Sequence, residues 1–149
     1  MSSATISAAD VMKTCKVVAV VGASKNAEKE AHTVPLYLKD HGYRIIPVNP
    51  TADEILGERS FPNLAAIPED VAKEVEVIEV FRPSEELPGV ARQTVELSKR
   101  WGKSYIFWAQ TGLENDEAKS ILNAAGLPYV MNACMRVVHT VAIGSGRTR

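Results

Sequence analysis

A run of residues dominated by valine, 16–21, ends at a single glycine, Gly22, and the chain then turns polar. A run this apolar predicts a strand buried on both faces, which is typical of a parallel sheet covered by helices. Gly22 lets the backbone turn tightly, and the amide groups that follow can point at an anion. The stretch therefore favours an α/β fold with a phosphate-binding turn after its first strand.

Strand and helix patterns alternate along the rest of the chain. Four more strands are predicted, at residues 43–48, 76–81, 104–109 and 128–131. Helical periodicity predicts three helices between them, at about 34–41, 88–100 and 115–125. This alternation predicts an α/β fold: a Rossmann-like, doubly wound, mostly parallel sheet of five or six strands with helices on both faces. We expect one domain over residues 1–149, with its core at about 16–139.

Two local details refine this prediction. Pro47 has no backbone donor, so the second strand is expected to end there. The segment 51–68 reads as a loop, with a short edge strand expected near Ser60 and Phe61.

Composition excludes several classes of function. The 149 residues carry a formal net charge of −1, which gives no field to attract nucleic acid or an anionic membrane. The sequence has no apolar run as long as a membrane span and no secretory signal pattern. Two cysteines, Cys15 and Cys134, are too few for a disulfide framework. We expect a cytoplasmic protein with no nucleic-acid or membrane partner.

Ligands of doubly wound sheets bind outside the carboxyl ends of the strands, where the strand order reverses. Ser24 and Lys25 offer a hydroxyl and a compact positive charge there, and Arg82 offers a two-pronged grip on phosphate. Phe81 and Trp108 offer apolar surface. The predicted binding residues at these strand ends are Gly22, Ala23, Ser24, Lys25, Val48, Asn49, Pro50, Phe81, Arg82, Trp108, Gln110 and Gly112.

Two common nucleotide-binding patterns do not match. The turn after the first strand lacks the second and third glycines of G-x-G-x-x-G, and Val48-Asn49 stands where NAD-binding proteins place an acidic residue for the ribose. The P-loop pattern G-x-x-x-x-G-K-[ST] does not occur either. Both observations weigh against NAD and against a P-loop ATPase.

Six segments in order carry a family resemblance: VVAVVGAS, HGYRIIPVNP, ILGERSFPNLAAIP, VIEVFRPSEELP, FWAQTGLENDEA and AGLPYVMNAC. Over residues 16–139 the chain resembles the small stand-alone CoA-binding proteins, relatives of the CoA-binding domain of succinyl-CoA synthetase. The resemblance implies that coenzyme A lies at the switch point of a Rossmann-like sheet. It implies that residues 22–24 cradle the pyrophosphate with Lys25 near a phosphate, that 48–50 line the adenosine side, and that Phe81 and Arg82 contact the nucleotide or the start of the pantetheine arm. Residues 108–112 match the family's W-x-Q-x-G segment on the same rim.

The chain departs from this family at one point. Ala133 precedes Cys134 where relatives often have Arg-Cys, so a role that depends on that arginine is lost. Full CoA ligases add a domain with a phosphorylated histidine, for which this chain is too short. Of its three histidines, His32 and His41 are interpreted as helix-end residues, and His139 stands alone in a C-terminal segment with no assigned role.

The sequence contains no recognisable catalytic constellation. Glu85 and Glu86 are adjacent and diverge, and no His or Cys cluster has metal-ligand spacing. We therefore expect a module that binds CoA or an acyl-CoA without catalysis of its own. The alternatives are a CoA-handling subunit of an acyl-CoA ligase or transferase, which gains its chemistry from a partner chain, and a regulatory domain that binds NAD(H). The sequence leaves open whether the protein forms a homodimer or joins a partner subunit. A mixed disulfide between Cys134 and the CoA thiol is a further hypothesis.

Overall fold

Strands and helices alternate in the computed structural model, which describes residues 6–144. The strands are β1 (Val17–Val21), β2 (Arg44–Val48), β3 (Glu54–Ile55), β4 (Glu58–Arg59), β5 (Val77–Val80), β6 (Ile106–Ala109) and β7 (Tyr129–Val130). The helices are α1 (Ala8–Thr14), α2 (Glu30–Asp40), α3 (Glu69–Ala72), α4 (Leu87–Trp101), α5 (Asp116–Ala125) and α6 (Met135–Ile143). Two 3₁₀ helices, Leu64–Ala66 and Ser84–Glu86, lie in the connections.

The central sheet confirms the predicted Rossmann-like α/β fold. Its five strands are all parallel, in the order β2-β1-β5-β6-β7. A single parallel bridge joins Val48, the last residue of β2, to Phe61 on the outer side of that strand. This is where a short edge strand is predicted. With that bridge counted as a third strand, the order is the Rossmann order 3-2-1-4-5-6. The order reverses between β1 and β5, so the switch point lies between these two strands.

Alternate residues of each strand enter two separate cores. Ile78, Val80 and Phe107 pack with α4 and α5, on what we call the α4 face of the sheet. Val77 and Trp108 pack with α1, α2 and α6 on the opposite side, the α6 face. The strands read as continuous apolar runs because both faces are covered.

Helix ends follow the expected chemistry. Asn115 begins α5 by accepting the amide of Ala118, and Gly126 ends it in the left-handed conformation. Pro88 lies in the first turn of α4, and the helix begins at Leu87, one residue before the predicted start. No helix among residues 6–144 is long and apolar enough to cross a membrane.

The prediction that β2 ends at Pro47 is wrong, because β2 continues to Val48. Pro47 aligns with Val20, and its missing donor is tolerated because it lies beside the outer edge of the five-stranded sheet, where its carbonyl accepts the amide of Phe61. The short hairpin of β3 and β4 and the helices α1, α3 and α6 were not predicted.

Candidate functional site at the switch point

The turn after β1 presses directly against the end of β5. Gly22 has φ +89°, and a Cβ atom built on it would lie 2.8 Å from the carbonyl oxygen of Phe81 and 3.0 Å from Cδ of Arg82. Only glycine fits this approach, because any larger residue would meet backbone while holding an unfavourable φ. The two predicted site segments, 22–25 and 81–82, are therefore brought together at the switch point.

Proline in α2 helps to hold the turn. Pro35 has no amide hydrogen to donate to the carbonyl of Ala31, four residues earlier. That carbonyl instead accepts the amide of Ser24, at 3.1 Å. His32 adds a second connection, because its Nδ1 lies 2.7 Å from the carbonyl oxygen of Ser24. The turn is thus fastened to the first turns of α2.

Two backbone amides of the turn have no acceptor within the protein. The amide of Gly22 donates to Val48 and that of Ser24 to Ala31. Among residues 6–144, nothing accepts the amides of Ala23 and Lys25. The bonded amide of Ser24 separates these two donors, and the side chain of Ala23 is buried. Free backbone amides of a turn bind anions, so the amides of Ala23 and Lys25 are the candidate phosphate donors.

Asn49 joins the end of β2 to this turn. Its Nδ2 donates to the carbonyl of Ala23 at 2.8 Å, and its Oδ1 accepts the amide of Thr51 at 2.7 Å. Pro50 beside it is exposed, whereas Val48 is buried in the core. The side chain of Val48 therefore does not line the crevice, and only its backbone lies there.

Two cations stand at the crevice. Lys25 is exposed, and Arg82 forms an ion pair with Glu86 at 2.8 Å in which both side chains are 44% exposed. A surface pair of this kind is weak, so a phosphate can compete for the guanidinium. Glu86 is thus the partner of Arg82 when no ligand is bound.

The prediction that the Trp108 ring lies on the rim is wrong. Trp108 is fully buried on the α6 face, and its Nε1 donates to the carbonyl of Ala133 at 2.8 Å. Phe81 is half-buried and borders the same core. Gly112 is exposed, and its amide donates to Oδ1 of Asn132, which joins the loops after β6 and β7.

Two polar side chains on the α6 face have unpartnered atoms. Glu79, in the middle of β5, is fully buried, and both of its carboxyl oxygens lack a hydrogen-bond partner. Burial raises the pKa of Glu79 from 4.5 to about 8. Gln110 is 3% exposed, and its Nε2 is also unpartnered. Glu79 was missed in the sequence, although a lone acid inside the apolar run 77–81 is the signal that could have revealed it.

The interpretation that His139 stands alone is wrong. His139 is buried in α6, and its Nδ1 is 2.8 Å from the hydroxyl of Tyr37 in α2. Its ring also meets those of His41 and Tyr43 edge-on. Burial, then the nearby His41 and Lys16, lower the pKa of His139. This cluster connects α2 to α6.

Other candidate features contribute no site. Cys134 is a half-buried free thiol immediately before α6. No group of three metal-ligating side chains is present among residues 6–144. A cavity of about 680 Å³ lies beside α4, between exposed side chains such as Asn63 and Arg100, and it includes none of the predicted site residues. The convergence of predicted groups at the switch point, rather than the size of a cavity, identifies the candidate site.

A family model described as "CoA binding domain" matches residues 16–140. The chain belongs to this CoA-binding domain family. An uncharacterised family relative from Bacillus subtilis, YneT, is 38% identical over 132 residues, which are 89% of this chain and 91% of the relative.

The solved structures and the larger relatives agree with this assignment. A hypothetical protein from Pyrococcus horikoshii superposes with a TM-score of 0.81 at 31% identity, covering 92% of this chain and 90% of that protein. An ADP-forming acetate–CoA ligase of Archaeoglobus fulgidus is 41% identical over 58 residues, which are 38% of this chain and 9% of the ligase. The family thus includes a short protein of similar length and is related to one segment of a much larger CoA ligase.

Proposed function

We propose that this protein binds coenzyme A or an acyl-CoA in the crevice at the carboxyl ends of β1 and β5. The observation that carries the proposal is the turn at Gly22. It lies against Phe81 with no room for a side chain, and it keeps the amides of Ala23 and Lys25 free. Membership of the CoA-binding domain family supports CoA as the occupant.

The groups present fit the anionic part of CoA. The free amides of the turn would hold the diphosphate, with the Ser24 hydroxyl and Lys25 beside it. Arg82 would leave Glu86 and take a phosphate oxygen, since a charge-assisted bond to phosphate is stronger than an exposed ion pair. CoA itself supplies a thiol that can carry an acyl group.

The end of β2 favours CoA over NAD(H). Asn49 is committed to the carbonyl of Ala23 and to Thr51, and no acidic side chain stands in its place to hold a ribose. The backbone of Val48 and the exposed ring of Pro50 would provide a flat wall for the adenosine. Gln110 and Gly112 would lie further along, beside the pantetheine arm.

We place the protein in the cytoplasm, as one domain with no catalysis of its own. A second candidate is a CoA-handling subunit that gains chemistry from a partner chain. The local similarity to an ADP-forming acetate–CoA ligase favours this alternative. Copurification of a subunit that binds ATP would distinguish it from the stand-alone module.

Thermal unfolding with different ligands tests the proposal. We expect CoA and acetyl-CoA to raise the melting temperature and NAD and ATP to leave it unchanged. A ligand at about one hundred times its Kd adds about 2.7 kcal/mol, or several degrees for a chain of this length. A response to NAD equal to that for CoA would contradict the proposal.

A matched pair of arginines locates the site. Arg82→Ala should weaken CoA binding about tenfold, the usual effect of a lost charge-assisted contact. Arg92→Ala is the control, because Arg92 also pairs with a glutamate, Glu117, at 2.7 Å on the exposed surface between α4 and α5. Equal affinities of the two variants for CoA would show that the phosphates lie elsewhere.

A further inference from the structure

Glu79 and Gln110 lie on the same face of the sheet, close to the crevice. Glu79 is in register with Trp108 across β5 and β6, and Gln110 follows Trp108 by two residues. Side chains two apart in an extended chain point to the same side, so both polar groups enter the α6 face. They are neighbours on one diagonal of the sheet, with Glu79 one residue before the end of β5 and Gln110 one residue past the end of β6.

The fold gains nothing from these unpartnered groups. Glu79 is surrounded by the apolar cluster that contains Val20, Val77 and Trp108, and both of its oxygens lack a partner. A buried polar group without a hydrogen bond destabilises a protein, and an apolar residue would avoid this cost. Unpartnered buried groups near a crevice are functional-site candidates for that reason.

The first turn of α6 closes over the same place. Oε1 of Gln110 accepts the amide of Met135 at 3.2 Å, so its amide nitrogen is the end left over. Among the residues described, the next two amides of this nine-residue helix, of Arg136 and Val137, also have no acceptor. Cys134 before them is half-buried. The amides of Arg136 and Val137 are free as at any helix start, so the donor that distinguishes this place is the buried, unpartnered Nε2 of Gln110 beside Met135.

The strand order brings the far end of CoA toward these donors. If the adenosine lies at β2 and the diphosphate at β1, as in the proposed function on which this step rests, the arm continues over β5 toward β6. Adjacent strands are about 4.8 Å apart, so only two strand spacings separate the turn of Gly22 from Gln110. An extended pantetheine arm covers that distance.

We propose that Glu79 and Gln110 form a carbonyl-binding subsite, in which the carboxyl group of Glu79 and the amide group of Gln110 donate hydrogen bonds to a carbonyl oxygen of the acyl-pantetheine arm. Glu79 has no exposed surface, so the ligand reaches it by displacing the first turn of α6. The carbonyl recognised is the thioester carbonyl of an acyl-CoA. Recognition of the amide carbonyl nearest the thiol is the alternative outcome of the titration.

The protonation state of Glu79 suits a donor. Its pKa of about 8 keeps the carboxyl group neutral at neutral pH, so it carries a hydrogen to donate. Burial alone raises this pKa. The titratable side chains around the same core do not contribute to the shift; they are Cys15, Tyr37, His41, Tyr43, Cys134 and His139.

Calorimetric titration of the full chain tests the subsite. The ligands are acetyl-CoA, CoA, and adenosine 3′,5′-bisphosphate, which lacks the pantetheine arm. Glu79→Leu should weaken acetyl-CoA binding about tenfold or more while leaving the bisphosphate unaffected, and it should unfold at the same or a higher temperature than the parent. Ile78→Leu is the matched control, a similar change one residue away on the α4 face, and should bind all three ligands like the parent.

Dependence on pH provides a second, independent readout. Binding of acetyl-CoA to the parent should weaken between neutral pH and about pH 9, by up to tenfold for each pH unit above the pKa of Glu79. Glu79→Gln keeps a donor that does not ionise, so this dependence should disappear. This variant also keeps the proposal testable if Glu79→Leu fails to fold.

The outcomes separate the two proposals. If acetyl-CoA binds the parent and both Glu79 variants equally, with the same pH profile, the subsite is overturned and the proposed function stands. If none of the three ligands binds the parent, the proposed function is overturned as well. A loss restricted to acetyl-CoA identifies the thioester carbonyl, and an equal loss for CoA identifies the amide carbonyl of the arm.

Discussion

The two faces of the central sheet treat buried polar groups differently. On the α4 face, the fully buried Thr94 and Tyr105 each donate to a backbone carbonyl, of Val90 and Ala72. On the α6 face, Glu79 has no partner at all. The α4 face also has an unpartnered atom, Nε1 of the half-buried Trp101, but among residues 6–144 only the α6 face has a fully buried carboxyl group. Burial of that carboxyl group carries a cost that a further role, such as binding, would offset.

This difference follows the position of the two faces relative to the crevice. The α6 face contains Ala23 from the turn after β1 and Met135 from the start of α6, so its core continues into the candidate site. Strain and unsatisfied groups are expected where a core also serves a ligand. The α6-face core is therefore continuous with the loops of the candidate site, whereas the core of the α4 face contains neither Ala23 nor Met135.

Adding a carboxyl group to the other face gives the largest expected effect. Ile78→Glu places an unpaired acid among the apolar residues of the α4 face, where Ile78 is fully buried. We expect a loss of about 4 to 5 kcal/mol, enough to unfold many domains of this size. Denaturant unfolding measures it, with Ile78→Met as the apolar control. A variant as stable as the parent would show that the two faces tolerate a buried carboxyl group equally.

The natural acid should make stability depend on pH. The folded state raises the pKa of Glu79 from 4.5 to about 8, so the folded protein holds this proton more tightly than the unfolded chain. Its contribution to stability is complete below pH 4.5 and is lost as the pH rises to about 8, a change on the order of 3 to 5 kcal/mol. Glu79→Gln should remove this loss, so its unfolding free energy should exceed that of the parent increasingly with pH. Denaturant midpoints at several pH values check this, and parallel curves for the two proteins would contradict it.

Much of the fold could be predicted from periodicity, and the failures have local causes. The five parallel strands were recognisable because burial on both faces removes polar positions from them. The hairpin of β3 and β4 was missed because Leu56, with φ +58°, and Gly57 make its turn without an Asn-Gly or Asp-Gly signal. Helix α6 was missed because its valines and threonine favour strands, and its packing on α1 and α2 overrides that preference.

The missed helix also explains the errors at the candidate site. Trp108 could be placed at a strand end from the sequence, but not beneath the loop that leads into α6, where the carbonyl of Ala133 accepts its indole hydrogen. The pairing of Gln110 with Met135 was hidden for the same reason. By contrast, the meeting of Gly22 with Phe81 and Arg82 follows from the parallel strand order alone. Backbone topology was predictable, and the side-chain layer below it was not.

Replacing one tyrosine on each face gives the smallest expected losses of stability and compares the two faces directly. Tyr105→Phe removes a 2.7 Å hydrogen bond to Ala72 in a fully buried place, so the carbonyl loses this partner where water cannot replace it, at a cost of about 1 to 2 kcal/mol. Tyr37→Phe removes hydrogen bonds with His139 and Thr140 but is half-buried, so water can replace the hydroxyl and about 0.5 to 1 kcal/mol is expected. Thermal unfolding at neutral pH measures both. If Tyr37→Phe costs more, the hydrogen bonds between α2 and the second turn of α6 contribute more to stability than the buried bond of Tyr105 on the α4 face.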